Sequence, residues 1–250
     1  MLHWYSYVIL AAVGFSAGII DTLAGGGGLI ALPALLNFNL APAVVLGTNK
    51  FQAACGEFNA SLHFFRRKKF NLKELGFGLL MLVLGSTIGA VIVQILHPHT
   101  LQKLIPWLLL AILIYTILSP RPVADAHPPK LSPRWFYILI GLPIGMYNGF
   151  FGPGTGSFLI VSIMVFLGCD IVKSTIISKP LNFAANFVGL LWFIFGGNVN
   201  YSIGLVMALG QLLGTNLGAR LVIYRGNKII KPIYISVVAV MTLDLFIKYY

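Results

Sequence analysis

The stretch Ile20-Asp21-Thr22-Leu23-Ala24-Gly25-Gly26-Gly27-Gly28-Leu29-Ile30-Ala31-Leu32-Pro33 joins two apolar runs through four consecutive glycines. Glycine costs about 1 kcal/mol per residue in a helix interior. Four in a row therefore end the helix that the run Trp4–Leu23 begins. A second apolar run, Leu29–Phe38, starts directly afterwards. A helix N-terminus offers free N–H groups and a partial positive charge, and glycine lets an anion approach that backbone closely. The alternative use of such glycines is close packing of one helix on another.

The surroundings of the break decide its solvent. The chain has 250 residues, of which 58% are hydrophobic and only 9% charged, against about 25% charged in a soluble domain. Apolar runs of spanning length recur from end to end, so this is an all-α polytopic membrane protein. At roughly 20 residues per span the chain holds about eight to ten spans and no soluble domain. Irregular backbone at membrane depth survives only where it is buried in protein or lines a cavity, which makes the glycine break a candidate site. The N-terminus has no Lys or Arg before its apolar run, unlike a cleaved signal peptide, and is read as a retained first helix. The net charge of +11 comes from short basic clusters between apolar runs, the pattern of cytoplasmic loops and not of a nucleic-acid surface. Cys55 and Cys169 form no CxxC or zinc spacing, so neither a metal nor a disulfide framework is expected. No cofactor is expected either.

The break has a second copy. Five segments, Trp4–Leu23, Leu29–Phe38, Ala41–Phe65, Asn71–Leu96 and Leu101–Leu118, precede a proline-rich linker at 120–134. Five more follow it: Trp135–Phe151, Ser157–Leu167, Ile171–Phe195, Tyr201–Ile223 and Lys228–Ile247. A gapless offset of 129 puts Gly25 on Gly154, Gly27 on Gly156, Lys50 on Lys179, Gly85 on Gly214 and Gly89 on Gly218. The expected organisation is a first repeat at 1–119, a cytoplasmic linker at 120–134 and a second repeat at 135–250.

Basic residues set the orientation. Arg66, Arg67, Lys68, Lys69 and Lys73 mark one loop, Arg121, Lys130 and Arg134 the linker, and Arg220, Arg225, Lys228 and Lys231 a third loop. Placing all three inside makes the two repeats inverted and leaves both termini outside. The second segment of each half is short. About ten helical residues cover about 15 Å, half of a hydrocarbon core of about 30 Å, so these segments read as broken or tilted half-spans. Paired breaks in inverted halves are the sequence pointer to a transporter's central site.

The third segment of each half carries the polar stripe. The first reads Thr48-Asn49-Lys50-Phe51-Gln52, then Glu57 and Asn59; the second reads Ser178-Lys179-Pro180-Leu181-Asn182, then Asn186. Lys179, Asn182 and Asn186 share one helix face. Ionisable residues within spans are costly and functional by default. A lysine from each half brings two positive charges toward one site, suited to an anion, including a divalent one. The alternative is that both lysines snorkel to an interface or pair with acids. Asp21 and Glu57 are candidates for proton coupling; Lys50 and Glu57, seven residues apart, are separated by about 10 Å of helix rise and are not expected to pair. Gly85/Gly89 and Gly210/Gly214/Gly218 are small-xxx-small stripes for packing within the chain or across a homodimer. His63, His97 and His99 fall at segment ends without an HExxH pattern. No GxSxG, HExxH, nucleotide loop or catalytic carboxylate pair is present, so no catalytic or metal residue is assigned.

These residues also carry a resemblance. The run from Ile20 to Pro33 resembles the glycine-rich signature of the TauE/SafE family, the sulfite exporter or TSUP permeases. Gly47-Thr48-Asn49-Lys50-Phe51-Gln52 and Ser178-Lys179-Pro180-Leu181-Asn182-Phe183 resemble the matching lysine stretches of its probable-permease branch. The resemblance implies a prokaryotic inner-membrane permease for small anions such as sulfite, thiosulfate or sulfoacetate. Gly152-Pro153-Gly154-Thr155-Gly156 is less glycine-dense than Gly25–Gly28, so the two half-sites need not be equivalent. The full expectation is a secondary transporter working by alternating access. Its substrate lies between the two breaks, held by the N–H groups of Gly25, Gly26, Gly27, Gly28, Gly152, Gly154, Thr155 and Gly156 and the charges of Lys50 and Lys179. Asn49, Gln52, Asn182 and Asn186 orient it. An anion channel is the alternative, and a membrane scaffold or intramembrane enzyme a more distant one.

Overall fold

A computed structural model describes residues 3–67, 69–118 and 126–224. It is helical, with α1 (Trp4–Ala24), α2 (Gly28–Leu36), α3 (Pro42–Arg66), α4 (Leu72–Ile95) and α5 (Pro98–Leu118) in the first half. The second half has α6 (Pro133–Phe136), a π-helical turn (Tyr137–Gly141), α7 (Leu142–Phe150), α8 (Thr155–Leu167), α9 (Ile171–Phe195) and α10 (Tyr201–Tyr224). The expected last segment, Lys228–Ile247, and the basic residues Arg225, Lys228 and Lys231 lie outside the described residues.

The breaks fall where the glycines are. Gly25 closes α1 in a left-handed conformation with φ +73°, and its N–H donates to the Asp21 carbonyl at 2.8 Å. Gly152 follows α7 with φ +103°. The π turn ahead of α7 precedes Pro143, whose ring clashes with a preceding carbonyl in a regular helix; a widened turn is the usual accommodation.

Packing exchanges partners between the halves. α1 lies along α10, α4 along α7, and α3 against α9. Glycines permit the two tight pairs. A Cβ added at Gly210 or Gly214 would meet the carbonyl oxygens of Ala11 and Phe15 at 2.2 and 2.0 Å. At Gly85 and Gly89 it would meet those of Leu142 and Met146 at 2.2 and 1.9 Å. Backbones this close gain dispersion contacts that larger side chains would forbid. Both stripes are therefore filled within the chain, the first of the two uses the sequence left open.

Opposite the glycines, α4 turns Leu80, Leu84 and Ile88 outward, and α10 turns Leu205, Leu209, Leu213 and Leu217 outward. Rows of exposed leucine at four-residue spacing suit acyl chains, not water. Four described helices, α1, α4, α9 and α10, are long and apolar enough to cross a membrane. α3 is as long as α9, at 25 residues, but carries Asn49, Lys50, Gln52 and Glu57 buried within it. It packs against α9 and α10 and buries these polar side chains there.

Candidate functional site

The two lysines of the polar stripes are completely buried, at 0% exposure each. That removes the snorkelling alternative, because the ammonium groups end in the protein interior. Each finds the C-terminal end of a broken helix. Lys179 Nζ on α9 donates to the Asp21 carbonyl at 2.5 Å, and Lys50 Nζ on α3 donates to the Asn148 carbonyl at 2.5 Å. Asp21 precedes Gly25 by four residues and Asn148 precedes Gly152 by four. The last carbonyls of a helix have no partner within it and carry partial negative charge. A lysine from the opposite half meets the Asn148 carbonyl at one break and at the other joins the Gly25 N–H on the Asp21 carbonyl.

This geometry changes the register in which the two halves match. The gapless offset of 129 holds for Lys50 and Lys179 but not through the breaks. There Gly25 corresponds to Gly152 and Asp21 to Asn148, an offset of 127. The intervening lengths differ: α2 has 9 residues and α8 has 13. A register of 129 sets Asn148 opposite Ile19, and so hides the residue that the sequence reading missed.

The two lysines differ in what surrounds them. Lys179 also pairs with Glu57 Oε1 at 3.3 Å. Glu57 Oε1 accepts a second hydrogen bond from Asn182 Nδ2 at 2.7 Å. Lys50 meets only neutral groups: besides the Asn148 carbonyl, the Asn148 Oδ1 at 3.2 Å. Among the described residues no carboxylate pairs with it. The expected pairing pattern holds in one respect, since Lys50 and Glu57 do not meet. It is corrected in another: the site does not present two free cations, because Lys179 is neutralised.

A chain of amides joins the two lysines. Asn148 Nδ2 donates to Asn182 Oδ1 at 3.1 Å and to Asn186 Oδ1 at 3.3 Å. Asn186 Nδ2 returns to Asn182 Oδ1 at 3.2 Å. The path runs from Lys50 through Asn148 and Asn182 to Glu57, Lys179 and Asp21 without a gap. Asn182 and Asn186 thus lie in one buried polar network with the lysines, and Asn148, which the sequence reading did not single out, joins them.

The breaks themselves touch. A Cβ on Gly25 would lie 2.1 Å from the Gly156 carbonyl carbon. The Ser157 N–H donates to the Gly25 carbonyl at 3.2 Å, and its hydroxyl to that of Ala24 at 2.5 Å. Gly28 faces Pro153. Backbone contact leaves no room for an anion between Gly25 and Gly156, which corrects that part of the expected placement. Nor are all the glycine N–H groups open. Gly25 donates to the Asp21 carbonyl, Gly27 to Asp21 Oδ1 at 3.2 Å and Gly152 to the Tyr147 carbonyl at 3.3 Å. The Ser157 and Thr155 amides are used at Gly25 and Gly152, and the Thr155 hydroxyl caps the Gly152 carbonyl at 2.6 Å. Gly26, Gly28 and Gly154 make no such bond. Gly152 is the roomiest point of the second break, where a Cβ would meet only the Asn148 carbonyl and Lys50 Nζ, each at 3.4 Å.

Gln52 turns away from the lysines, its amide donating to Gln211 on α10. Asn49 is buried with its Oδ1 unpartnered, as are Gln52 Oε1 and Glu57 Oε2. Unsatisfied buried oxygens are uncommon and mark places where something else binds or moves. No cluster of three or more His, Cys, Asp or Glu side chains able to hold a metal occurs among the described residues.

Known proteins share this chain's sequence along almost its full length. The family model described as Sulfite exporter TauE/SafE matches residues 10–245. A probable membrane transporter protein of Haemophilus influenzae is 39% identical over 94% of this chain and 92% of its own length. The probable membrane transporter protein YfcA of Escherichia coli K12 is 38% identical over 95% of this chain and 88% of its own. A similar protein of a Sinorhizobium species, also called a probable membrane transporter protein, is 39% identical over 94% of this chain. Buried lysines at the ends of broken helices, an apolar outer ring and this extent of shared sequence lead to one conclusion: the chain is a multi-pass membrane protein of the TauE/SafE family, a family of membrane transporters.

Proposed function

We propose that the protein is a secondary transporter of small anions, with its anion subsite at Lys50 beside the Gly152 break. The observation that carries this reading is a wholly buried ammonium whose partners are a carbonyl and an amide oxygen and no carboxylate. A charge in low dielectric is costly until a counter-charge arrives. The Asn148 helix end supplies only about half a negative charge. A small anion completes the compensation, and Gly152 leaves room for it next to Nζ. Asn186, Asn182 and the unpartnered Asn49 stand as orienting groups. Gly26, Gly28 and Gly154 remain as backbone donors.

The family description names sulfite, and the proposed substrate class is sulfur oxyanions or organosulfonates such as sulfite, thiosulfate or sulfoacetate. The exchanged packing of α1 with α10 and of α4 with α7 supports two inverted repeats, 1–119 and 135–250, rocking about the breaks. Backbone contact between the breaks supports gated access in preference to a standing channel. The basic clusters support a prokaryotic inner-membrane orientation with both termini outside. Asp21 and Glu57 are the groups for proton coupling.

Anion-dependent thermal stabilisation of the purified protein tests the reading. Sulfite, thiosulfate, sulfoacetate, methanesulfonate, sulfate and short carboxylates form the panel, with Lys50→Met alongside. Selective stabilisation by a sulfur-containing anion, lost in Lys50→Met, is expected. A folded protein that no anion stabilises contradicts it.

A further inference from the structure

Lys50 lies near one end of α3 and far from the other. It is eight residues from Pro42 and sixteen from Arg66, about 12 Å and about 24 Å of helix rise. The short way from its ammonium to solvent therefore leaves by the Pro42 end, away from the basic residues Arg66, Arg67, Lys69 and Lys73. A stretch of the second half lies across that way. Gly189 on α9 packs on the Lys50 stem, where an added Cβ would meet Cδ, Cε and Nζ at 3.1–3.2 Å. One turn on, the Phe193 ring packs on Gly47. Past the end of α9, the Asn198 carbonyl oxygen sits so close on Gly47 that no Cβ fits there. The Asn200 N–H then donates to the Thr48 hydroxyl at 3.0 Å.

We infer that the segment Gly196–Asn200 is the gate of the Lys50 subsite at this end, and that the hydrogen bond between Thr48 and Asn200 is the latch that holds it shut. The inference rests on the anion reading of Lys50 and adds where the anion enters or leaves. The segment is made to move as a unit. Its turn is closed by the Asn198 N–H on the Phe193 carbonyl at 2.8 Å and the Gly197 N–H on the Ile194 carbonyl at 3.0 Å. Gly196 and Gly197 are exposed, and Gly197 has φ +69° with nothing within 4 Å of where a Cβ would stand. Such a residue absorbs a backbone rotation without unpacking a side chain. At the far end of the segment, Asn200 Oδ1 accepts the Ile203 N–H at 3.1 Å, so the segment is tied to the start of α10. Asn198 Nδ2 adds a weaker tie to Gln94 Oε1 on α4 at 3.4 Å.

The basic end has the same turn without the latch. After α3 the Lys69 N–H donates to the Phe64 carbonyl at 3.1 Å, the five-residue spacing of Asn198 and Phe193. At the offset of 129 that matches the two lysines, Gly47 and Thr48 fall on Ile176 and Ile177. Isoleucine has no hydroxyl and fills the space that Gly47 leaves to a carbonyl. Ile176 joins Phe64 and Ala60 in an apolar cluster instead. The matching positions therefore cannot repeat the latch, and the Thr48 end is the one this structure holds shut by a polar contact.

A reversible cross-link tests the gate. A disulfide needs about 4.4–6.8 Å between Cα atoms, and the Thr48–Asn200 contact is short enough to be replaced by one. The pair Thr48→Cys/Asn200→Cys is made with Cys55→Ser and Cys169→Ser and placed in liposomes. Exchange of labelled methanesulfonate and sulfoacetate is followed, since neither anion attacks a disulfide. Oxidation is expected to lower exchange by the pair at least tenfold, dithiothreitol to restore it, and oxidation to change neither single variant. A second measurement needs no transport. Asn49→Cys, beside Lys50, is labelled in detergent by the sulfonate reagent sulfonatoethyl methanethiosulfonate. Thr48→Val is expected to speed labelling at least threefold, and Thr48→Ser, which keeps the hydroxyl, to leave it slow. Full exchange by protein whose cross-link is confirmed by mass overturns the gate and leaves anion transport standing. Exchange of neither anion by the folded wild type contradicts the anion reading itself. The labelling then decides the latch alone, and equal rates with Thr, Ser and Val at position 48 overturn it.

Discussion

Lys50 and Lys179 occupy matching places, yet only one of them is formally paired. Each is fully buried, each comes from a 25-residue helix of its half, and each meets the helix end four residues before a left-handed glycine. Lys179 is held by Glu57 and Asp21, whereas Lys50 is held by Asn148. Two similar breaks thus differ in side chains, with carboxylates at one and amides at the other. Two similar helix breaks are present, and the side chains around each decide whether its lysine has a carboxylate partner within the protein. That contrast makes different predictions for the same substitution on the two sides.

The largest difference is in stability. Lys179→Met strands the buried Glu57 carboxyl and is expected to destabilise the protein by about 3–5 kcal/mol, the usual cost of breaking a buried ion pair by removing one partner. Lys50→Met strands only the Asn148 oxygens while removing an expensive charge. Its expected net effect is within about 1 kcal/mol, since an unsatisfied neutral acceptor costs about 1–3 kcal/mol and the lost desolvation offsets it. Unfolding of both variants in one detergent measures the difference. Equal destabilisation would erase the distinction between the sites.

Next come the glycines at the breaks. Gly25→Ala meets both an unfavourable φ of +73° and the Gly156 backbone, where its Cβ would lie 2.1 Å from the carbonyl carbon. Strain of about 1–3 kcal/mol adds to overpacking of about 1–3 kcal/mol. Gly152→Ala meets only the conformational strain, because its nearest neighbours stand at 3.4 Å. It is expected to fold better than Gly25→Ala while weakening the anion response more, as its methyl points at Lys50 Nζ. Melting temperatures with and without anion separate the two effects.

Asn148→Asp sharpens the comparison by making the second site resemble the first. A carboxylate beside Lys50 supplies the missing counter-charge, so anion affinity is expected to fall at least tenfold, about 1.4 kcal/mol. The fold should persist, because Lys50 gains a partner. Titration of the wild type and this variant with the same anion reads the change directly.

Much of this was legible in the chain. Gly25–Gly28 forced a break that falls at the same residues in the structure, and Ile171–Phe195 has the expected bounds of α9. The local rule is strong there: glycine runs and membrane-length apolar runs leave few alternatives. Lys50, Lys179, Asn182 and Asn186 were visible as polar groups on apolar helices. Their partners were not, because the pairing of Lys179 with Glu57 crosses 122 residues of sequence and depends on how α3 lies on α9. Asn148 escaped for a simpler reason. The four-residue difference between α2 and α8 is partly absorbed in the loops that follow, so a gapless alignment stays in register at the lysines and slips by two at the breaks. The glycine stripes were read correctly as packing surfaces, but only the tertiary arrangement shows that α1 and α7 fill them.

The most direct test of the central claim is anion binding to the purified protein in two variants, Lys50→Met and Lys50→Arg. The account predicts that a sulfur-containing anion raises the wild-type melting temperature, that Lys50→Met abolishes the rise while remaining folded, and that Lys50→Arg keeps part of it. An undiminished rise in Lys50→Met would contradict the account, because the anion would then be compensating some other charge.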